Sequence, residues 1–194
     1  MSSLTVQEVR AMLVHVACRI EESEGVLTDA DRAIGDGDHG IGMARGFEAV
    51  RRELADTRAE TVGELLDATG RTLLASIGGA SGILFGMFFR VGAGALGGRE
   101  TFDGDALRLF LTVGTAEVVK RGKAAPGDKT MVDALWPAAE AAAAASEGSL
   151  VSLLSAASEA ARRGVEETKG MVARTGKARS LGERSLGHSD PGAL

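Results

Sequence analysis

The sequence predicts an all-α fold. Apolar residues recur at alternating steps of three and four along most of the chain, while runs with two-residue alternation or β-branched enrichment are missing. Ala and Gly are plentiful and aromatics make up only 4%, so helices can approach one another through small side chains. At 194 residues the chain suits one domain with a sizeable core. Mostly short connections imply antiparallel neighbours.

Each element has a local justification. Thr5 and Glu8 fit a capping box, followed by Val6, Val9, Leu13, Val16 and Ile20 on one face. Met43, Phe47, Val50 and Leu54 mark a second helix. Thr61 and Glu64 repeat the capping box ahead of Leu65, Leu66, Thr69 and Leu73. Ser81 to about Val91 is apolar on most sides and reads as a central, buried helix. Asp103–Arg121 and Asp128–Glu147 read as two more, with Pro137 expected to kink the latter. Ser149 to about Val172 makes a seventh. Beyond it, "ARTGKARSLGERSLGHSDPGAL" is polar and glycine-punctuated, a composition that predicts a disordered end.

Composition excludes several function classes. Apolar residues at 44% and charged residues at 25% fit a soluble globular protein. The net charge of −5 argues against nucleic acid as the main partner. No apolar run is long enough and unbroken enough to span a membrane, and no signal peptide is visible, so no membrane partner and a cytoplasmic location are expected. The single Cys18 forms no intrachain disulfide and reads as a buried structural thiol.

The most informative stretch is "DRAIGDGDHGIGMARGF", Asp31–Phe47. It crowds Asp31, Asp36 and Asp38 onto glycine-rich backbone just before a helix. Carboxylates this close repel unless a cation sits among them. An EF-hand is excluded, because the twelfth position is Phe47 counted from Asp36 and Gly42 counted from Asp31, where a Glu is required. Two readings fit. One is a solvated acidic turn that caps a helix. The other is a Mg²⁺ loop whose metal shares phosphates with the helix start near His39–Met43.

Other segments carry weaker signals. "GKAAPGDKT" (Gly122–Thr130) nearly makes a P-loop, but Asp128 intrudes between Gly127 and Lys129 and the preceding segment is helical. It is read as a polar wall of a site, with Asp128 as a helix cap. "GGASGILFG" (Gly78–Gly86) fits small-residue packing, or a helix start offering Ser81 and backbone N–H groups to a nucleotide. His15 reads as solvated; His39 and His188 each sit in a glycine-rich loop. No spacing suggests zinc, and no nucleophile elbow is present.

"AIGDGDHGIGMARGF", "IGGASGILFGMFF", "RGKAAPGDKTMVDALWP" and "LGERSLGHSDPGA" together, in this order and spacing, resemble the nucleotide-binding L subunit of dihydroxyacetone kinase. The resemblance covers nearly the whole chain. It implies an antiparallel eight-helix barrel carrying ADP or ATP and two Mg²⁺ ions at one end. Asp31, Asp36 and Asp38 are the implied metal ligands. His39, Gly40, Ile41 and Gly42 would run along the phosphates and sugar, Ala80 and Ser81 would meet the nucleotide from a helix start, and Gly122 and Met131 would lie nearby. Lys177, Asp190, Pro191 and Gly192 would close over it, turning residues 173–192 from a disordered tail into a lid.

The implied reaction is phosphoryl transfer to a short hydroxyketone held on a separate K subunit, with a phosphotransferase-type M subunit able to recharge the nucleotide in place. The nucleotide is either such a bound cofactor or an exchangeable substrate. No residue of this chain is implied as catalytic beyond positioning metal and phosphate. Dihydroxyacetone is the family default; erythrulose, a fatty acid kinase role and a nucleotide-sensing regulator are the alternatives. Three positions depart from the family pattern. Gly42 stands where Asn is common. Lys177 stands where Arg is common, and a lysine cannot make a bidentate phosphate contact. The chain stops at Leu194 instead of continuing into a last helix, so seven helices are expected, with an apolar groove open to water or covered by another chain, such as a second copy in a homodimer.

Overall fold

The computed structural model describes residues 3–145 and 148–194. Among these, eight α-helices form: α1 (Val6–Glu22), α2 (Glu24–Ile34), α3 (His39–Asp56), α4 (Val62–Ser76), α5 (Gly79–Leu96), α6 (Gly104–Gly122), α7 (Val132–Ala144) and α8 (Leu150–Glu167). From α3 onward each helix packs on the next, α1 packs on α3, and α2 lies against α3. Short connections make these neighbours antiparallel. The circuit closes through the tail, whose 3₁₀ segment Lys177–Ser185 packs on α2.

Both capping boxes form as expected. The Thr5 and Thr61 hydroxyls accept from the Glu8 and Glu64 N–H groups, and each Glu side chain reaches back to the cap backbone. Each box satisfies two orphan donors of a helix start. Val9, Leu13, Phe47, Val50, Leu54, Leu65, Leu66 and Leu73 then meet in one apolar core with Phe88, Phe102 and Phe110. Phe88 and Phe110 pack edge to face at 5.1 Å.

Several expectations are corrected. The count is eight α-helices, not seven, because Glu24–Ile34 is helical and is separated from α1 only at Ser23. Two short strands do form: β1 (Ser3–Thr5) pairs antiparallel with β2 (Thr101–Asp103), with Leu4 opposite Phe102. Three residues are too few for alternation to show. Helix α7 starts at Val132 rather than Asp128 and ends at Ala144, with Ala145 already outside helical geometry; residues 146–147 of the expected extension lie outside the described residues. Helix α5 is not buried on all sides: Ile83 is 51% exposed. It is 18 residues long with a mean hydropathy of 1.4, enough by length and composition to cross a membrane. Here its glycines take close contacts instead, Gly86 with Leu74 of α4 and Gly92 with Phe110 of α6. Cys18 is half-buried rather than buried. The tail is folded back onto the helices.

Pro137 sits inside α7 and leaves the Asp133 carbonyl without its helical donor. That carbonyl faces Gly164 of α8, where an added Cβ would lie 1.9 Å from it. The proline thus coincides with a close approach of α7 and α8, an added Cβ at Gly164 lying 3.2 Å from Pro137 Cγ.

Candidate functional site

The acidic segment is built from a helix end, a short loop and a helix start. Asp31 lies on the last turn of α2 and is 6% exposed; Asp36 and Asp38 lie in the exposed loop. One carboxylate oxygen from each falls within 4.8 Å of the others. The loop is tied to the next helix, because Asp31 Oδ2 accepts from the His39 N–H at 3.1 Å. His39 is the first residue of α3 rather than part of the loop. An all-oxygen donor set of hard carboxylates fits Mg²⁺.

A second helix start faces the first. Gly78 and Gly79 adopt φ of 79° and 58°, a left-handed pair that turns the chain sharply from α4 into α5. Arg45 of α3 holds this turn, donating from Nε to the Ser76 carbonyl at 2.8 Å and from Nη2 to the Ile77 carbonyl at 2.7 Å. The start of α5 is thereby set beside α3, with Ser81 Oγ 3.3 Å from His39 Nδ1. Two helix N-termini, each with free N–H groups and a partial positive charge, therefore open onto one space.

That space is a cleft of ≈ 1140 Å³. Of the residues singled out from sequence, all but Gly40 and Asp36 line it: Asp31, Asp38, His39, Ile41, Gly42, Ala80, Ser81, Gly122, Met131, Lys177, Asp190, Pro191 and Gly192. Gly40 instead faces α2, where a Cβ would lie 2.3 Å from the Glu24 carbonyl and from Thr28 Oγ1. Leu84, Val118 and Val132 add an apolar wall that was not legible from sequence, since their positions look like ordinary core. Arg45 was missed as well, because its role lies in carbonyls that a sequence does not display.

The tail supplies the remaining wall. Lys177 Nζ donates to Asp36 Oδ2 at 2.5 Å and lies 3.4 Å from both oxygens of Asp38. The hydrogen bond from Lys177 holds the Asp36 carboxyl below its ordinary range, and the same bond raises Lys177. Asp190 is buried; its N–H donates to Thr168 Oγ1 at 2.9 Å, and its Oδ2 accepts from the Ala193 N–H at 2.9 Å. Burial pushes the Asp190 carboxyl up to about 7, against the hydrogen bond from Ala193. Burial lowers His39, opposed by Asp31 and Asp38.

The segment Gly122–Thr130 also differs from expectation. Asp128 does not cap α7; it accepts from the Ala125 N–H at 2.8 Å. Asp133 organises the loop, accepting from the Gly127 N–H at 2.5 Å and the Thr130 N–H at 2.7 Å. Lys129, which lies in the segment read as a polar wall, is 1% exposed.

The family model for the DAK2 domain matches residues 33–194. The chain belongs to the DAK2 domain family. Over 174 residues this DAK2 domain is 47% identical to the PEP-dependent dihydroxyacetone kinase, ADP-binding subunit DhaL, of Escherichia coli K12, covering 89% of this chain and 82% of that one. The PTS-dependent counterpart of Lactococcus lactis is 37% identical, with 90% and 83% covered. The crystal structure of the dihydroxyacetone kinase from C. freundii in complex with AMP-PNP and Mg²⁺ superposes with a TM-score of 0.74 at 28% identity. That match covers 100% of this chain and 32% of the solved one, so the DAK2 domain spans about a third of the larger kinase.

Proposed function

We propose that this chain is the nucleotide- and Mg²⁺-binding subunit of a dihydroxyacetone kinase, delivering a phosphoryl group to a short hydroxyketone held by a separate K subunit. The observation that carries the reading is the carboxylate triad at one end of a cleft onto which two helix starts open. The kinship with subunits named as ADP-binding supports it.

Asp31, Asp36 and Asp38 are the residues that would hold Mg²⁺, as two ions. Bound there, the metal neutralises phosphate charge. The first turn of α3 (His39, Gly40, Ile41, Gly42) and that of α5 (Ala80, Ser81) offer N–H groups and a hydroxyl to phosphate and sugar oxygens. Gly122 and Met131 border the far part of the cleft, and residues 173–192 act as its lid through Lys177, Asp190, Pro191 and Gly192. Such a site does what phosphoryl transfer demands, since positioning and charge neutralisation supply most of its catalysis. In this reading the ketone is held by the K-type partner. The names of the relatives favour recharging by a PEP- or PTS-dependent route; an M-type subunit as the donor and a cytoplasmic setting are part of the same proposal.

Reconstitution tests this reading. The purified chain should bind ADP and phosphorylate no ketone, and turnover of dihydroxyacetone should appear only on adding a K-type subunit and a phosphoryl donor. Ketone phosphorylation by the chain alone at the rate of the mixture contradicts the division of labour. ADP binding with no transfer under any combination favours a nucleotide-sensing regulator instead.

A further inference from the structure

Among the described residues Lys129 is the largest of the fully buried side chains, and it is a cation. Its backbone is left-handed, with φ of 62°, an uncommon conformation for a residue with a Cβ. Its ammonium donates to the Thr168 carbonyl at 2.6 Å and to the His188 carbonyl at 2.6 Å. Those acceptors belong to two different segments, the end of α8 and the tail. Burying an ammonium against neutral carbonyls is unfavourable in itself, and a methionine of similar length would fill the space more cheaply. Burial accordingly lowers the Lys129 pKa, while Asp190 and Asp133 oppose that shift. What lysine adds is a charge-assisted tie between two carbonyls.

The tie continues to the cleft. Thr168 is fully buried, and its Oγ1 donates to the Val165 carbonyl at 2.6 Å and accepts from the Asp190 N–H. His188 lies two residues before Asp190. Both partners of Lys129 therefore fix the chain that enters Asp190–Pro191–Gly192, a wall of the cleft that His39 also lines. The loop carrying Lys129 is itself held by Asp133, so the anchor is rigid.

We propose that Lys129 is a positioning residue for the nucleotide cleft: its buried ammonium ties α8 to the tail at Thr168 and His188 and so sets the Asp190–Gly192 wall. This rests on the cleft being the nucleotide site. The role is distinct from metal binding, because the triad comes from the end of α2, the following loop and the cap of α3, whereas the Lys129 ammonium hydrogen-bonds to Thr168 and His188.

Lys129→Met is the test, with helical content checked by circular dichroism. Its ADP affinity in Mg²⁺, read with a fluorescent ADP analogue, should fall by about 10- to 100-fold, the usual range for losing hydrogen bonds to a charged group. Trypsin should cut faster at Arg179 and Arg184. At saturating nucleotide, turnover with the K-type partner should stay within about twofold of wild type, so the effect falls on KM rather than kcat. Thr168→Val, which keeps Lys129 but removes the acceptor for the Asp190 N–H, should shift affinity in the same direction by a smaller factor; it decides the matter if Lys129→Met does not fold. Unchanged ADP affinity and unchanged tail cleavage in the folding variant overturn the proposal. Faster tail cleavage with unchanged ADP affinity also overturns it, leaving only a structural tie. Absence of ADP binding by the wild-type chain overturns the nucleotide reading itself, and the positioning role with it.

Discussion

Gly40→Ala separates two roles that a glycine in this stretch can have. A methyl group at residue 40 would lie 2.3 Å from the Glu24 carbonyl, 2.3 Å from Thr28 Oγ1 and 2.6 Å from the Thr28 nitrogen, whereas ordinary contact begins at 3.4 Å. Helices α2 and α3 must then separate by about 1 Å, a strain in the class of core overpacking at about 1–3 kcal/mol. Two of the three obstacles are backbone atoms, which cannot rotate away, so the upper half of that range applies. The better helix propensity of Ala returns about 1 kcal/mol. A net loss of about 1–2 kcal/mol corresponds to a fall in Tm of about 2–8 °C for a domain of this size. Gly42→Ala is the control, since its methyl would meet only Ile77, at 3.6 Å. That variant should match or slightly exceed wild-type Tm. Parting α2 from α3 also moves Asp31 relative to Asp38, so Gly40→Ala should weaken ADP–Mg²⁺ binding as well. Differential scanning calorimetry of both variants decides the point. A Gly40→Ala midpoint within about 1 °C of the Gly42→Ala midpoint refutes the packing argument.

Two further outcomes follow from the tail. Lys177 and a divalent cation draw on the same oxygens of Asp36 and Asp38, so Lys177→Met should bind Mn²⁺ without nucleotide about two- to fivefold more tightly than wild type, as for loss of an exposed ion-pair competitor; equal or weaker Mn²⁺ binding by paramagnetic resonance contradicts this. Asp190 makes stability pH-dependent: its carboxyl is raised from 3.8 to about 7 in the folded state, so the stability tied to its neutral form is complete below about pH 4 and is lost as pH rises to about 7, on the order of 4 kcal/mol in all. Asp190→Asn stays neutral, so wild-type stability minus variant stability, from urea unfolding without nucleotide, should fall across that window; a difference independent of pH contradicts it.

Local signals were legible in the sequence. The two capping boxes need only residues three apart, and both formed where Thr5–Glu8 and Thr61–Glu64 placed them. The cleft residues were brought forward by the family resemblance, and the fold gathers nearly all of them around one space. Helix α2 was illegible for a physical reason. Its buried face includes Thr28 and Asp31, polar residues at positions where an apolar period should show. A carboxylate placed for a site thus hid the helix that places it. The tail was misread from composition because its order rests on polar contacts with distant residues. Lys177 meets Asp36, and Lys129 meets His188, across 141 and 59 positions of sequence. Composition records neither. The buried state of Lys129 was invisible for the same reason, as a lysine in a glycine-rich loop is ordinarily solvated.

The most direct test of the cleft as a metal-dependent nucleotide site is calorimetric titration of ADP into the wild-type chain and into Asp38→Asn, each with Mg²⁺ and with excess chelator. Asp38 is exposed and makes no helix-cap hydrogen bond with its side chain, so its loss should leave the fold intact. ADP should bind the wild-type chain with Mg²⁺, and binding should vanish both in chelator and in the variant. Equal ADP affinity in all four titrations contradicts the metal-dependent site.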